Sequence, residues 1–403
     1  MNEFSGILSN AARERLGRTE IGEMISLSAK HGAISFGAGE PSPEMFPVEE
    51  MSEAIREALR EPDVWGYYHD DYGDPSLREW IADRMFRDGL SPSWVSARSI
   101  LITNGGGEAV NLASGALIDP GAVVLVESPT YTESLLTFRA RGAVCVSVPS
   151  DDEGIVPEEL ERIVSYTPAR FLYTIPNFQN PSGRTTSAER RVRILDVARR
   201  AGIAIVEDDP YHYLSYDGPA PESYLRLAGD DARVIHCSSF SKIVAPGLRV
   251  GWMTAPPELE DIFRSLRVSA GLGRPLAIQR GLRRYLDRVD FPGRIERLRS
   301  EYRGRRDMMT ELCRRYLTPV GVRTNRPGGG FFIWAETPGA REGFSSRDFA
   351  RRAVERGICV VPGTAFYPSG GGERAFRLSF AKSSGEAMEE GMRRLSRAFA
   401  DEV

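Results

Sequence analysis

The chain has little from which to build a metal centre, a disulfide framework or a membrane span. Its four cysteines, Cys145, Cys237, Cys313 and Cys359, lie far apart without a Cys-x-x-Cys pair, and only four histidines could complete a metal site. Each cysteine therefore reads as a small buried hydrophobe. No run approaches the ~18 apolar residues of a membrane span, and the N-terminus, with Glu3, Arg13 and Arg15 among polar residues, has no signal-peptide core. The expected location is cytoplasmic. A net charge of −4 excludes a general attraction to nucleic acid or acidic membrane surfaces. Lysine is scarce too: Lys242 is the only one between Lys30 and Lys382, in a chain that carries its positive charge almost wholly as arginine.

What is present has an ordinary globular composition. With 403 residues, 41% hydrophobic and 27% charged, the chain is long enough for two domains around a substantial core. Apolar strand-like runs alternate with helical stretches, the pattern of an α/β fold. The isolated lysine stands in the most informative stretch. The run Val234-Ile235-His236-Cys237 leads into Ser238-Ser239-Phe240-Ser241-Lys242, then a Pro246-Gly247 turn, Arg249 and a second short apolar run. Lys242 is thus expected on a loop between strands, where α/β proteins carry chemistry. A loop lysine is most often solvated, but lysine can be deprotonated and arginine cannot, so this one is also a candidate Schiff-base amine. Ser239, Ser241 and Arg249 around it supply hydroxyl donors and a fork-shaped cation, the groups an anionic phosphate needs. An aldehyde cofactor with a phosphate handle is pyridoxal 5′-phosphate, PLP.

On these residues the chain resembles the fold-type I aminotransferases, whose signature is a small residue, an aromatic and Ser-Lys, followed by Pro-Gly-x-Arg-x-Gly. Here the arginine falls seven residues after the lysine. That spacing resembles the branch of 2-aminoadipate and kynurenine aminotransferases and the effector domains of MocR-type regulators; in aspartate aminotransferases it is one residue wider. The resemblance runs from Phe36 to Phe380 and keeps its motifs in the family's order.

Ser99 to Thr103 reads as a strand, Asn104-Gly105-Gly106-Gly107 as a tight turn and Glu108 to Leu117 as a helix. Gly106 and Gly107 would then offer backbone N–H groups and the positive helix end to an anion. Ala122 to Glu127 is the next strand, with Ser128-Pro129-Thr130-Tyr131 at its carboxyl end, where open α/β sheets bind ligands. The resemblance implies that Tyr131 stacks on the cofactor ring. Phe171 to Ile175 is another strand; in the Pro176-x3-Asn180-Pro181-x-Gly183 segment after it, the resemblance makes Asn180 a donor to the cofactor's 3-oxygen beside the substrate. Ala204 to Asp209 is a buried strand ending in acids, with no further ligand spaced to complete a metal site. The family's Asp-x-x-Tyr spacing makes Asp208 the partner of the ring nitrogen and Tyr211 a second donor to the 3-oxygen, with Asp209 the other candidate.

Arg377, in the apolar strand Ala375 to Ala381, is costly to bury unless it meets an anion. The resemblance identifies that anion as the substrate α-carboxylate, an internal salt bridge being the alternative, and Gly39 matches the family's glycine-rich segment beside it. Tyr68, in Tyr68-x4-Gly73-x3-Leu77-Arg78, matches the tyrosine that reaches the phosphate of the neighbouring subunit, which implies a homodimer. Two departures bear on the substrate. Gly22 stands where the 2-aminoadipate branch can carry an arginine for a side-chain carboxylate, and Arg274 stands where relatives usually have a small or hydroxyl residue. Arg274 either binds a carboxylate from another direction or is an interface residue. The other arginines between Pro256 and Leu317 are expected mostly on a solvated helical face.

The expected fold is α/β: a large PLP-binding domain over residues 46–295 with a mostly parallel seven-stranded sheet, and a small α/β domain from residues 1–45 and 296–403. The strand number comes from the resemblance, as does the function, a PLP-dependent aminotransferase working without a metal. It would exchange an amino group between an L-amino acid and a 2-oxo acid, with glutamate and 2-oxoglutarate as one pair. Elimination, replacement, cyclisation and decarboxylation start from the same carbanion and are alternatives. A PLP-binding regulatory module is a further one, but the 35 residues before Phe36 are too few for its winged-helix domain.

Overall fold

The computed structural model describes residues 7–17, 19–66, 71–230, 233–271, 275–383 and 385–400. Seven strands form its main sheet: β1 (Ile100–Thr103), β2 (Val123–Ser128), β3 (Val144–Asp151), β4 (Ala169–Thr174), β5 (Ala204–Asp208), β6 (Val234–Ser239) and β7 (Gly251–Thr254). They lie in the order β1-β7-β6-β5-β4-β2-β3, and every pairing is parallel except those of β7, which runs antiparallel to both neighbours. A two-residue strand, Gly154–Ile155, folds back on the end of β3, so the sheet gains a short eighth member at one edge. The central strands β4, β5 and β6 are buried at nearly every position. Parallel strands covered on both faces see little solvent, which is why they read as continuous apolar runs rather than alternating ones.

A second, antiparallel sheet contains Arg323–Thr324, Phe332–Glu336, Ala375–Ser379 and Val361–Pro362, in that order. The chain's early residues meet its late ones in a separate two-stranded sheet, where Ile34–Ser35 pairs in parallel with Ile358–Cys359. Helix Glu20–His31 begins at Thr19, whose Oγ1 accepts from Gly22 N at 3.1 Å. It is fastened to helix Ser346–Glu355 by the ion pairs Glu20–Arg347 and Glu23–Arg351.

Helix Phe291–Leu312, about 33 Å long at 1.5 Å per residue, packs on His212–Leu214 beside the main sheet and on Gly385–Ala400 beside the second. Its arginines depart from the expected solvated face: Arg294 and Arg306 are buried, as is Arg267 in helix Glu260–Ala270. The reason is local: buried turns carry carbonyls that need donors. Arg294 donates to the carbonyls of Ile243 at 2.8 Å and Met45 at 3.1 Å, pinning the turn after Lys242. Cys237, Cys313 and Cys359 are buried, while Cys145, on β3 beside the edge of the sheet, is only partly so. Among the described residues no helix is long and apolar enough to cross a membrane, and no group of three or more His, Cys, Asp or Glu could hold a metal ion.

Candidate active site

The carboxyl ends of β1, β2, β4, β5 and β6 open onto one cavity of about 350 Å³, where open α/β sheets hold ligands. Gly39, Gly106, Gly107, Tyr131, Asn180 and Asp208 line it, together with Tyr211, Ser239, Ser241, Lys242, Arg249 and Arg377. Tyr68 and Arg274 lie outside the described residues.

At the end of β1, Gly105 has φ +80° and opens helix Gly106–Leu117, so the helix starts two residues earlier than expected and Gly106 and Gly107 lie in its first turn. No side chain caps this end. Arg249 reaches across it: Nη2 donates to the Asn104 carbonyl at 2.8 Å, and a Cβ on Gly105 would stand 2.7 Å from the same nitrogen. Gly251 abuts the turn from the other side, where a Cβ would stand 2.6 Å from the Gly105 carbonyl carbon. The Arg-x-Gly spacing therefore has a local cause, since both residues serve one turn. Arg249 itself has φ +51°, a left-handed backbone that costs a residue with a Cβ on the order of 1–3 kcal/mol.

Ser239 Oγ accepts from Ser241 N at 3.2 Å, bending the chain after β6 into the turn Phe240–Lys242. Lys242 Nζ then donates to the Gly39 carbonyl at 2.8 Å. Only glycine fits at 39, because a Cβ would stand 2.5 Å from the Phe332 ring. Burial pushes the Lys242 amine down to about 8; Arg377 and Arg249 act in the same direction and Glu40 opposes them.

Asp208 ends β5. Tyr173, on the neighbouring β4, donates to Asp208 Oδ2 at 2.7 Å and accepts from Ser134 Oγ at 2.8 Å. Burial raises Asp208 to about 6, against the Tyr173 hydrogen bond and the charges of His236 and Lys242. Successive side chains on a strand point to opposite faces. Glu207 accordingly turns away, accepts from Tyr224 N at 2.9 Å and lies 3.1 Å from His236 Nδ1. Asp209, the other candidate, lies outside the cavity lining and accepts from Asn177 Nδ2 at 2.8 Å.

Arg377 is buried and forms no ion pair with any described residue. Nη1 donates to Asn180 Oδ1 at 2.8 Å and Nη2 to the Gly37 carbonyl at 2.5 Å, while Nε has no acceptor among the described residues. The guanidinium lies 4.3 Å from the Phe332 ring centroid, and burial lowers its basicity.

Residues 32–395 match the family described as aminotransferase class I and II. The chain belongs to this family. It is 36% identical to the 2-aminoadipate transaminase of Thermus thermophilus over 389 residues, 95% of this chain and 94% of the relative. The structure of α-aminoadipate aminotransferase from Thermus thermophilus, complexed with N-(5′-phosphopyridoxyl)-L-leucine, matches with a TM-score of 0.90 at 34% identity, covering 99% of this chain and 98% of the other. The kynurenine aminotransferase of Pyrococcus horikoshii, solved with PMP, matches with a TM-score of 0.91 at 31% identity and the same coverage. The fold is that of the PLP-dependent aminotransferases, the cofactor is PLP, and the reaction is amino transfer between an amino acid and a keto acid.

Several groups in and behind this aminotransferase's cavity escape the motifs. Tyr173 and Ser134 form the relay under Asp208. Glu127, at the end of β2, accepts from Thr174 Oγ1 at 2.8 Å, Ile175 N at 2.9 Å and Gln179 Nε2 at 3.2 Å, and so braces the loop that carries Asn180. Burial raises Glu127 to about 7. One signal was available: a tyrosine or glutamate inside an otherwise apolar, doubly covered strand needs a partner. Ile21, Ile25, Glu133 and Thr137 also line the cavity, and no spacing marks them.

Proposed function

We propose that this aminotransferase exchanges an amino group between an L-amino acid and a 2-oxo acid, with glutamate and 2-oxoglutarate as one pair. The observation that carries the reading is Arg377, a buried guanidinium with no counter-ion among the described residues, in the cavity that also contains Lys242. Such a cation calls for an incoming anion, and the α-carboxylate common to amino acids and 2-oxo acids suits it, held bidentately. The glutamate pair rests on the family resemblance.

Bound PLP supplies an aldehyde for the amine and a protonated ring that draws electrons from the substrate Cα. The residues fit it. The uncapped helix start at Gly106 and Gly107, with Ser239, Ser241 and Arg249, suits the phosphate. Asp208 suits the ring nitrogen, because a carboxylate there keeps the ring protonated. Asn180 and Tyr211 suit the 3-oxygen, Tyr131 suits the ring face, and Gly39 would lie beside the α-carboxylate. Lys242, whose amine is less basic than usual, would take the proton from the substrate Cα at Nζ and pass it to the cofactor's C4′ carbon.

In this reading Tyr68 reaches the phosphate of a second copy, so the working unit is a cytoplasmic homodimer. The division into residues 46–295 and a smaller part from both chain ends is supported by the two separate sheets and the pairing of Ile34–Ser35 with Ile358–Cys359. A screen of amino acids against 2-oxo acids, followed through the cofactor's absorption, tests the function. Appearance of the pyridoxamine form, reversed by 2-oxoglutarate, is the expected result. Release of ammonia or carbon dioxide without that form would assign another reaction to the site.

A further inference from the structure

This inference rests on the reading above, in which the cofactor and the α-carboxylate fill one part of the cavity. The cavity wall also includes Ile21 and Ile25 from helix Glu20–His31 and Glu133 and Thr137 from helix Thr132–Ala140. Glu133 stands in the first turn of its helix, where an acid is ordinarily explained by the helix dipole alone. Its setting departs from that explanation. Oε2 is buried and takes no hydrogen bond from any described residue. The neighbouring hydroxyls are committed elsewhere, Thr137 Oγ1 to the carbonyl of Glu133 at 2.9 Å and Ser134 Oγ to Tyr173 at 2.8 Å. The charge of Glu133 is felt by Arg377, Tyr131 and Tyr211, all of which face the same cavity. A carboxylate oxygen shut from water without a donor is unfavourable, so a ligand that brings a donor completes the site.

We infer that Glu133 selects the amino donor: the pocket takes an amino acid whose side chain is a flexible apolar stem ending in a cation, the class of lysine and ornithine. The stem lies on Ile21 and Ile25, and the ammonium meets Glu133 in a charge-assisted hydrogen bond. Of that helix only the two isoleucines line the cavity, Glu23 between them being paired with Arg351, so this wall offers apolar surface and no charge. The same carboxylate repels an acidic side chain, and glutamate must direct its γ-carboxylate away from Glu133.

The test uses the holoenzyme and the single half-reaction in which one amino acid alone converts the cofactor to its pyridoxamine form, so that no acceptor need be known. Second-order rate constants are measured for lysine, ornithine, norleucine and glutamate. Calorimetry gives the affinities of 6-aminohexanoate and hexanoate, which offer Arg377 the same carboxylate and differ only at the far end. Lysine or ornithine should exceed norleucine, and Glu133→Gln should lower the ratio of lysine to norleucine by about 10- to 100-fold, as expected for one charge-assisted bond. The ratio of glutamate to norleucine should rise, and the preference for 6-aminohexanoate over hexanoate should fall in parallel. Glu133→Asp, which keeps the charge, should retain the cation preference. A wild-type preference for norleucine over lysine, an unchanged ratio in Glu133→Gln, or affinities that ignore the terminal amine would each overturn the inference. If no amino acid converts the cofactor, the failure belongs to the aminotransferase reading of this site, and the two carboxylate ligands still decide the role of Glu133 by binding.

Discussion

Arg306 and Arg377 are almost equally buried, at 1% and 2% exposure, and each lies against an aromatic ring, Tyr216 for the first and Phe332 for the second. Their polar surroundings differ. Arg306 forks onto Asp217, at 2.7 and 3.0 Å from its two terminal nitrogens, and also donates to Asp307 and to the Pro327 carbonyl. Arg377 meets an amide oxygen and a backbone carbonyl, neither of them charged. A buried cation is tolerated only where its charge is met. Around Arg306 the chain supplies that charge itself, and the side chain ties helix Phe291–Leu312 to the segments at Asp217 and Pro327. Around Arg377 no described residue supplies it, and in the proposed function it arrives with the substrate. Residue type and burial alone do not separate a brace from a receptor; what lies at hydrogen-bonding distance does.

The sharpest break of this distinction is expected at Lys242, which the proposed function assigns wholly to the reaction. Lys242→Ala should lower turnover by about 10⁴-fold or more and abolish borohydride-reducible attachment of PLP while the fold persists. Cofactor fixed to the variant after reduction would remove Lys242 from its role. Next in size, Arg377→Ala should reduce kcat/KM by about 10²- to 10³-fold through the loss of two charge-assisted bonds. Arg306→Ala should instead lower stability by about 2 kcal/mol, read by urea unfolding, with a much smaller effect on kcat/KM. The opposite pattern would erase the contrast between the two arginines.

A finer comparison sets Asp208 against Asp209. Asp208→Asn should lose activity on the order of 10²-fold, because a neutral amide no longer favours the protonated ring, and Asp209→Asn should lose less; kinetics showing the reverse order would move the ring contact to Asp209. The smallest effect concerns pH. In the cofactor-free protein, burial holds the Lys242 amine at about 8, and the neutral amine is the form that reacts. Attachment of PLP should therefore accelerate as pH rises, with a midpoint near 8, rather than near the about 10.4 of an ordinary lysine. A stopped-flow absorbance profile with its midpoint near 10 would contradict the burial of that amine.

The sequence by itself determined most of the main-sheet strands and the spacings of the residues that line the cavity, because both are local. Continuous apolar runs follow from parallel strands covered on both faces, and fixed spacings such as Lys242 to Arg249 follow from the backbone of single turns. The expected seven strands came from the resemblance, and two strands of this sheet escaped notice: Val144–Asp151, buried at only one position and so without a continuous apolar run, and Gly154–Ile155, whose two residues carry no period. The helix start at Gly106 was misplaced because three glycines read as a turn, whereas the uncapped first turn of a helix tolerates them. What only the tertiary structure decided are contacts that need two elements set side by side. Tyr173 reaches Asp208 from 35 residues away, Arg294 reaches the Ile243 carbonyl from 51 and Gln179 reaches Glu127 from 52. Each depends on strand order and helix docking, which packing sets and no spacing encodes. The same holds for Glu133: only the fold brings it into one cavity with Ile21 and Ile25, which stand more than 100 residues earlier in the chain.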